Sequence, residues 1–166
     1  MKRKGIIVAG LLLLALAGYS QVKSATFRAL LKKLLQHDVP EIDVRTAAQD
    51  SASILFLDAR EPREFEVSHL RNAIPVGYDN FALEDLPPLD THCRIVVYCS
   101  VGYRSEKVTE NLKTAGFTQI SNLYGGIFEW VNEGYPVYNA YGQTDQVHAY
   151  DRTWGIWLNR GKKVYQ

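Results

Sequence analysis

The stretch "RIVVYCSVGYRS", Arg94 to Ser105, carries the decision about the fold. Its first half, "RIVVYC", is the strongest strand in the sequence, an apolar run rich in β-branched residues. Its second half ends that strand on Cys99 and follows it within six residues by Gly102, Arg104 and Ser105. Cysteine is among the residue types most often buried, so Cys99 in isolation reads as a core thiol. The loop supplies the competing reading, a nucleophile displayed beyond a strand. Gly102 offers a bend, Arg104 a permanent charge, and the helix expected from Arg104 or Ser105 offers inward-pointing backbone N–H groups. A thiol becomes a strong nucleophile when it ionises, which nearby cations and helix N-termini promote. A loop of this build is an anion cradle for a thiolate, a persulfide or a small oxyanion.

Outward from this loop, strands and helices alternate. "ILFLD", residues 54–58, is a continuous apolar run ending in an acid, as in a strand buried on both faces. "EPREFEVSHL" starts a helix with Pro62 in its first turn, "AIPV" reads as a strand, and "LEDLPPLD" as a loop. "RSEKVTENLKTAG" puts Val108, Leu112 and Ala115 on one helical face and stops at Gly116. "QISNL" predicts a last strand, and "GGIFEWVNEG" a helix that begins after two glycines and closes at Gly134. Upstream, a strand "IDV" at 42–44 leads into a small polar helix. Residues 21–40 hold an amphipathic helix with Ser24 as N-cap and Phe27, Leu30, Leu31, Leu34 and Leu35 on one face, ending before Pro40. The alternation predicts an α/β domain around a mainly parallel sheet with right-handed crossovers. Ligands in such sheets collect at the carboxyl ends of strands, where both the Asp58–Arg60 segment and Cys99 lie.

The loop "CSVGYRS" resembles the active loop of the rhodanese family, commonly Cys, two residues, Gly, one residue, Arg, Ser. The similarity extends over residues 41–137. "FLDAREPREFEVSHLRNAIPV" resembles the family's Asp-x-Arg-Glu and His-Ile-x-Gly-Ala segments, and "NLYGGIFEWVNEGYPV" its closing Gly-Gly, Trp and Gly-x-Pro segment. The resemblance implies a rhodanese-like fold, a five-stranded mainly parallel sheet flanked by helices. It also implies a sulfurtransferase that carries a sulfane sulfur as a persulfide on Cys99 and needs no cofactor. Ser100, Val101, Gly102, Tyr103, Arg104 and Ser105 become the loop around the persulfide, with Arg104 placed to attract a small anionic donor such as thiosulfate. The acceptor is a thiol or other nucleophile. Two departures from the family pattern, Ser68 before His69 and Asn72 before Ala73, put loop geometry rather than chemistry in question.

Loop length separates the phosphatase and arsenate-reductase branch of the fold, in which five residues lie between Cys and Arg. Four lie between Cys99 and Arg104, which suits one sulfur atom better than a tetrahedral oxyanion. A rhodanese-like module that only binds partners usually lacks the cysteine.

The other candidates have plainer readings. Asp58 and Arg60 are candidate supports for the loop or donor, or an ion pair at a strand end. Glu61, Arg63, Glu64 and Glu66 read as a solvated helix face. His69 reads as structural, Phe128 and Trp130 as core, and Val101 and Tyr103 as lining the mouth. A strand over 94–98 separates Cys93 from Cys99 by roughly 20 Å, far beyond disulfide reach. Residues 138–166 form an aromatic-rich extension whose expected role is packing along the domain, with a partner surface through Trp154 and Trp157 as the alternative.

Nineteen basic against eighteen acidic residues give no reason to expect nucleic acid as a partner, and the scattered histidines show no metal-ligand spacing. The N-terminus departs from a globular pattern. "MKRKG" is basic, "IIVAGLLLLALAG" at 6–18 is an uncharged apolar run of thirteen, and small polar residues follow. Residues 1–20 therefore read as a signal peptide for export, to the periplasm, cleaved after Ser20. An uncleaved anchor through residues 6–18 is the alternative, although a membrane span needs about 20 apolar residues.

Overall fold

The computed structural model describes residues 24–165. Five parallel strands form the central sheet: β1 (Glu41–Ile42), β2 (Leu55–Asp58), β3 (Ile74–Pro75), β4 (Ile95–Tyr98) and β5 (Ile120–Leu123), in the order β1-β5-β4-β2-β3. The central strand β4 is buried at every position and pairs with β2 (Asp58 opposite Tyr98) and β5. Its side chains alternate between two cores, as strand geometry requires. Ile95, Val97 and Cys99 join one core, and Val96 and Tyr98 the other.

Five helices cover the sheet: α1 (Ala25–Leu34), α2 (Val44–Gln49), α3 (Pro62–Val67), α4 (Tyr103–Thr114) and α5 (Gly126–Asn132). Val108 and Leu112 of α4 pack with Cys99, whereas α1, α2 and α5 cover the opposite face through Phe27, Leu31, Val44, Ala47 and Ile127. Ser24 caps α1, its hydroxyl accepting the Phe27 N–H. Three local expectations are corrected. Asp43 is not in a strand; its carboxylate caps α2 by accepting the Arg45 and Thr46 N–H groups, which ends β1 at Ile42. The "AIPV" strand is only Ile74–Pro75. Ala115 is exposed at the C-cap of α4, and the buried face of that helix includes Ser105, Glu106 and Thr109 beside Val108 and Leu112. The Glu106 carboxylate accepts the Gln36 and His37 N–H groups, fixing the chain that leaves α1.

The extension packs against the domain. It begins with an antiparallel hairpin, β6 (Val137–Asn139) and β7 (Gly142–Thr144), followed by a parallel pair, β8 (Gln146–His148) and β9 (Lys162–Val164). Val147, Ala149 and Leu158 are wholly buried in the main core, and Trp157 stacks on Phe27 of α1 at 5.3 Å. At Trp157 the extension thus packs along the domain, as expected, rather than forming the alternative partner surface. Among the described residues no helix is long and apolar enough to cross a membrane, and residues 1–20 lie outside them.

Candidate active site

Cys99 lies at the base of a pocket of about 780 Å³ that opens at the carboxyl end of β4. Ser100, Val101, Tyr103 and Arg104 also line it, while Gly102 and Ser105 do not. The chain turns at Gly102, whose φ of 121° strongly favours glycine, and enters α4 at Tyr103. That turn brings the Gly102 N–H to 3.2 Å from Cys99 Sγ. The first intrahelical bond runs from Glu106 N–H to Gly102 C=O, so the amides of Tyr103, Arg104 and Ser105 precede it at the helix mouth.

The loop is clamped from behind. Asn122 of β5 donates its amide to the Gly102 carbonyl at 3.0 Å and accepts the Ser105 hydroxyl at 2.7 Å. Ser105 is therefore a buried loop support, not a donor-facing group. The backbone of α5 closes the other side, with Ile127 N–H donating to the Cys99 carbonyl and Phe128 N–H to that of Ser100. Gly126 permits this approach: a Cβ there would lie 2.4 Å from the Cys99 carbonyl oxygen.

Arg104 is not a free cation. Its guanidinium donates to both oxygens of Glu64, at 2.7 and 2.9 Å, and to Ser100 Oγ at 3.0 Å. Glu64, expected on a solvated face, is wholly buried, because α3 lies against the loop and turns this one carboxylate inward. Burial opposes its charge, but the hydrogen bonds and charge of Arg104, with Arg60 behind them, hold the Glu64 carboxyl down to about 2. Burial likewise opposes the Arg104 charge, and Glu64 outweighs it, so the guanidinium stays protonated above its ordinary range. The spacing of an acid three residues after Glu61 signals the capping box that starts α3, not this pairing.

Asp58 and Arg60 make a separate ion pair. Both are wholly buried, with Arg60 Nη2 2.6 Å from Asp58 Oδ2 and donating also to the Ser68 carbonyl at 2.6 Å. The Arg60 guanidinium lies over the ring of Tyr98, whose hydroxyl accepts the Leu70 N–H. Neither Asp58 nor Arg60 lines the Cys99 pocket. His69 stacks on Phe65 and bridges to Tyr138 through its backbone. Asn72 adopts a φ of 58°, a conformation natural to the glycine it replaces, and Ser68 is extended, so its backbone asks for no glycine. The Ser68 hydroxyl is buried without a hydrogen-bond partner. Cys93 and Cys99 are both free thiols.

Sequence reasoning missed the contribution of the termini to this pocket. Leu34 of α1, and Tyr150 and Trp154 of the extension, line its outer wall. The Arg104 guanidinium sits 5.1 Å from the centre of the Tyr150 ring.

Residues 27–133 match the model of the Rhodanese-like domain. Similar curated proteins include the tRNA uridine(34) hydroxylases of Listeria monocytogenes, 39% identical over 90 residues, and of Escherichia coli, 36% identical over 101 residues. The alignments cover 51% and 55% of this chain but only 28% and 29% of those proteins. Among solved structures, a rhodanese-related protein of Thermoplasma volcanium superposes with a TM-score of 0.54 at 30% identity, covering 59% of this chain and 96% of that one. The polysulfide-sulfur transferase homodimer of Wolinella succinogenes gives 0.53 at 25% identity, covering 69% and 88%. A parallel sheet in the order β1-β5-β4-β2-β3, with the cysteine loop at the end of its central strand, accompanies a family match over most of the chain: the protein belongs to the rhodanese-like family.

Proposed function

We propose that this protein is a sulfurtransferase that carries a sulfane sulfur on Cys99. The observation that carries the reading is the Gly102 N–H at 3.2 Å from Cys99 Sγ, at the mouth of α4 and the base of an open pocket. A Cys99 thiolate attacks the outer sulfur of a donor such as thiosulfate; the donor S–S bond breaks and sulfite leaves with the electron pair. The terminal sulfur of the new persulfide occupies the space beside the loop amides, which offset its negative charge. A nucleophilic acceptor then attacks that terminal sulfur, the Cys99–S bond breaks, and Cys99 departs as thiolate. Four residues between Cys99 and Arg104, with Arg104 drawn aside onto Glu64, favour this chemistry over transfer of a phosphate or arsenate. The similarity to the Wolinella polysulfide-sulfur transferase supports it.

Incubation with thiosulfate or polysulfide followed by intact mass measurement tests the proposal. One sulfur should appear on the wild-type chain and not on Cys99→Ser, whose sulfur-transfer rate should fall on the order of a thousandfold or more. Turnover of a phosphate ester or arsenate without sulfur loading would instead assign the oxyanion branch, and a folded but inert protein would assign a binding module.

We also propose that residues 1–20 direct export to the periplasm. A mature chain beginning at Gln21 in a periplasmic fraction is the expected result. An unprocessed chain in the membrane fraction would assign an anchor instead.

A further inference from the structure

We propose that the outer wall of the pocket is a subsite for the body of the sulfur acceptor, and that this acceptor is a low-molecular-weight organic thiol bearing a flat aromatic group. The inference rests on the persulfide reading. A volume of about 780 Å³ is in the range of drug-sized ligand pockets, far more than an inorganic sulfur anion fills. The charged groups along it are of mixed sign. Arg104 is matched by Glu64, and at the rim Arg63 is accompanied by Glu61 and Asp79. Much of the remaining lining is aromatic: Tyr78, Tyr103 of the loop, and Tyr150 and Trp154 of the extension.

Tyr150 is held where it is. It is a bulky residue at φ 63°, a conformation that persists only when its surroundings impose it. Its N–H donates to Nδ1 of the buried His148 at 3.1 Å, and Arg104 lies against its ring. Tyr150 and Trp154 both lie beyond residues 27–133, so the wall is an addition of this chain to the family domain. In the transfer step, the acceptor thiolate attacks the terminal sulfur of the Cys99 persulfide. An S–S bond forms on the acceptor, the Cys99–S bond breaks, and Cys99 leaves as thiolate, so no net oxidation occurs.

Benzyl mercaptan is the probe, and the full-length chain carrying Cys99→Ser allows its binding to be measured by calorimetry, under reducing conditions, without turnover. Binding should saturate, and adding either Tyr150→Ala or Trp154→Leu should weaken it about tenfold, the scale of one lost aromatic contact and its buried area. In the loaded enzyme, the ratio of kcat/KM for benzyl mercaptan to that for cyanide should fall by a similar factor in each variant. An unmoved ratio, or binding that neither substitution weakens, overturns the subsite. So does binding of only a cysteine within a polypeptide. Absence of sulfur loading with benzyl mercaptan binding intact overturns the persulfide reading, and the acceptor role with it. Loading without binding overturns the subsite alone.

Discussion

Two loops leave neighbouring strands at the same level of the sheet, and they use the same charges differently. After β2 the chain runs Asp58, Ala59, Arg60; after β4 it runs Tyr98, Cys99, Ser100, with Asp58 and Tyr98 in direct register. Ala59 and Cys99 consequently share a face and a core. Each loop holds an arginine against a carboxylate. In the first loop the pair closes within three residues, is wholly buried, and stays out of the Cys99 pocket. In the second the partner comes from outside: Glu64 reaches over from α3, so Arg104 is drawn aside and the space over Cys99 stays open. The β2 loop thus braces the sheet end and supplies, through α3, the clamp for the reactive loop. The same pairing of arginine with a carboxylate becomes scaffold or site according to where the partner is attached.

That contrast can be broken in three places. Asp58→Ala leaves the Arg60 charge buried and unpaired, so urea unfolding should show a loss of about 3–5 kcal/mol. Sulfur loading by the fraction that remains folded should persist, because Asp58 does not line the pocket. Loss of loading in a chain that unfolds as cooperatively as wild type would erase the distinction between the two loops.

Glu64→Gln should act on stability and site together. The folded carboxyl titrates at about 2, below its ordinary 4.5. Its stabilisation is therefore complete above about pH 4.5 and is lost as pH falls toward about 2. Wild-type stability should decline steeply over that window, by about 3 kcal/mol from this group, and the variant should show a flatter acid limb. Loading should slow as well, since Arg104 loses its counter-charge and one of the two acceptor oxygens that hold it, leaving a single amide oxygen for Arg104 and Ser100. An acid limb of unchanged slope would assign the pH dependence to other carboxylates.

Gly126→Ala tests the backbone clamp. A Cβ 2.4 Å from the Cys99 carbonyl oxygen and 2.6 Å from that of Ser100 forces the loop or α5 to shift. The φ of 58° adds strain for any L side chain. Stability should fall by about 1–3 kcal/mol, and the loading rate should fall further than Asp58→Ala lowers it in folded protein. Full loading in this variant would show that the reactive loop tolerates displacement.

Much of the molecule was legible in its sequence because the cues are local. Runs such as "ILFLD" and "IVVY", alternating with helical segments, fit strands buried on both faces of a covered parallel sheet, and Gly102 before "YRSEKV" marks a bend into a helix. Those cues place Cys99 at the end of the strongest strand, which the strand order makes the central one. The short edge strands were less legible, since Asp43 serves α2 as a cap and thereby ends β1. Glu64 was misread as solvated because its neighbours Arg63 and Glu66 are exposed, and a helix pattern of alternating charge does not say which member faces inward.

By itself, then, the sequence determined the sheet, the position of the cysteine and the length of its loop, all properties of contiguous residues. Only the tertiary structure decided what surrounds Cys99. Glu64 and Arg104 are forty positions apart, and Tyr150 and Trp154 lie farther still along the chain. No spacing rule links such residues; they meet because α3 packs against the loop and the extension packs against α1. Whether Arg104 is free or matched, and whether the pocket is narrow or roomy, follows from that packing.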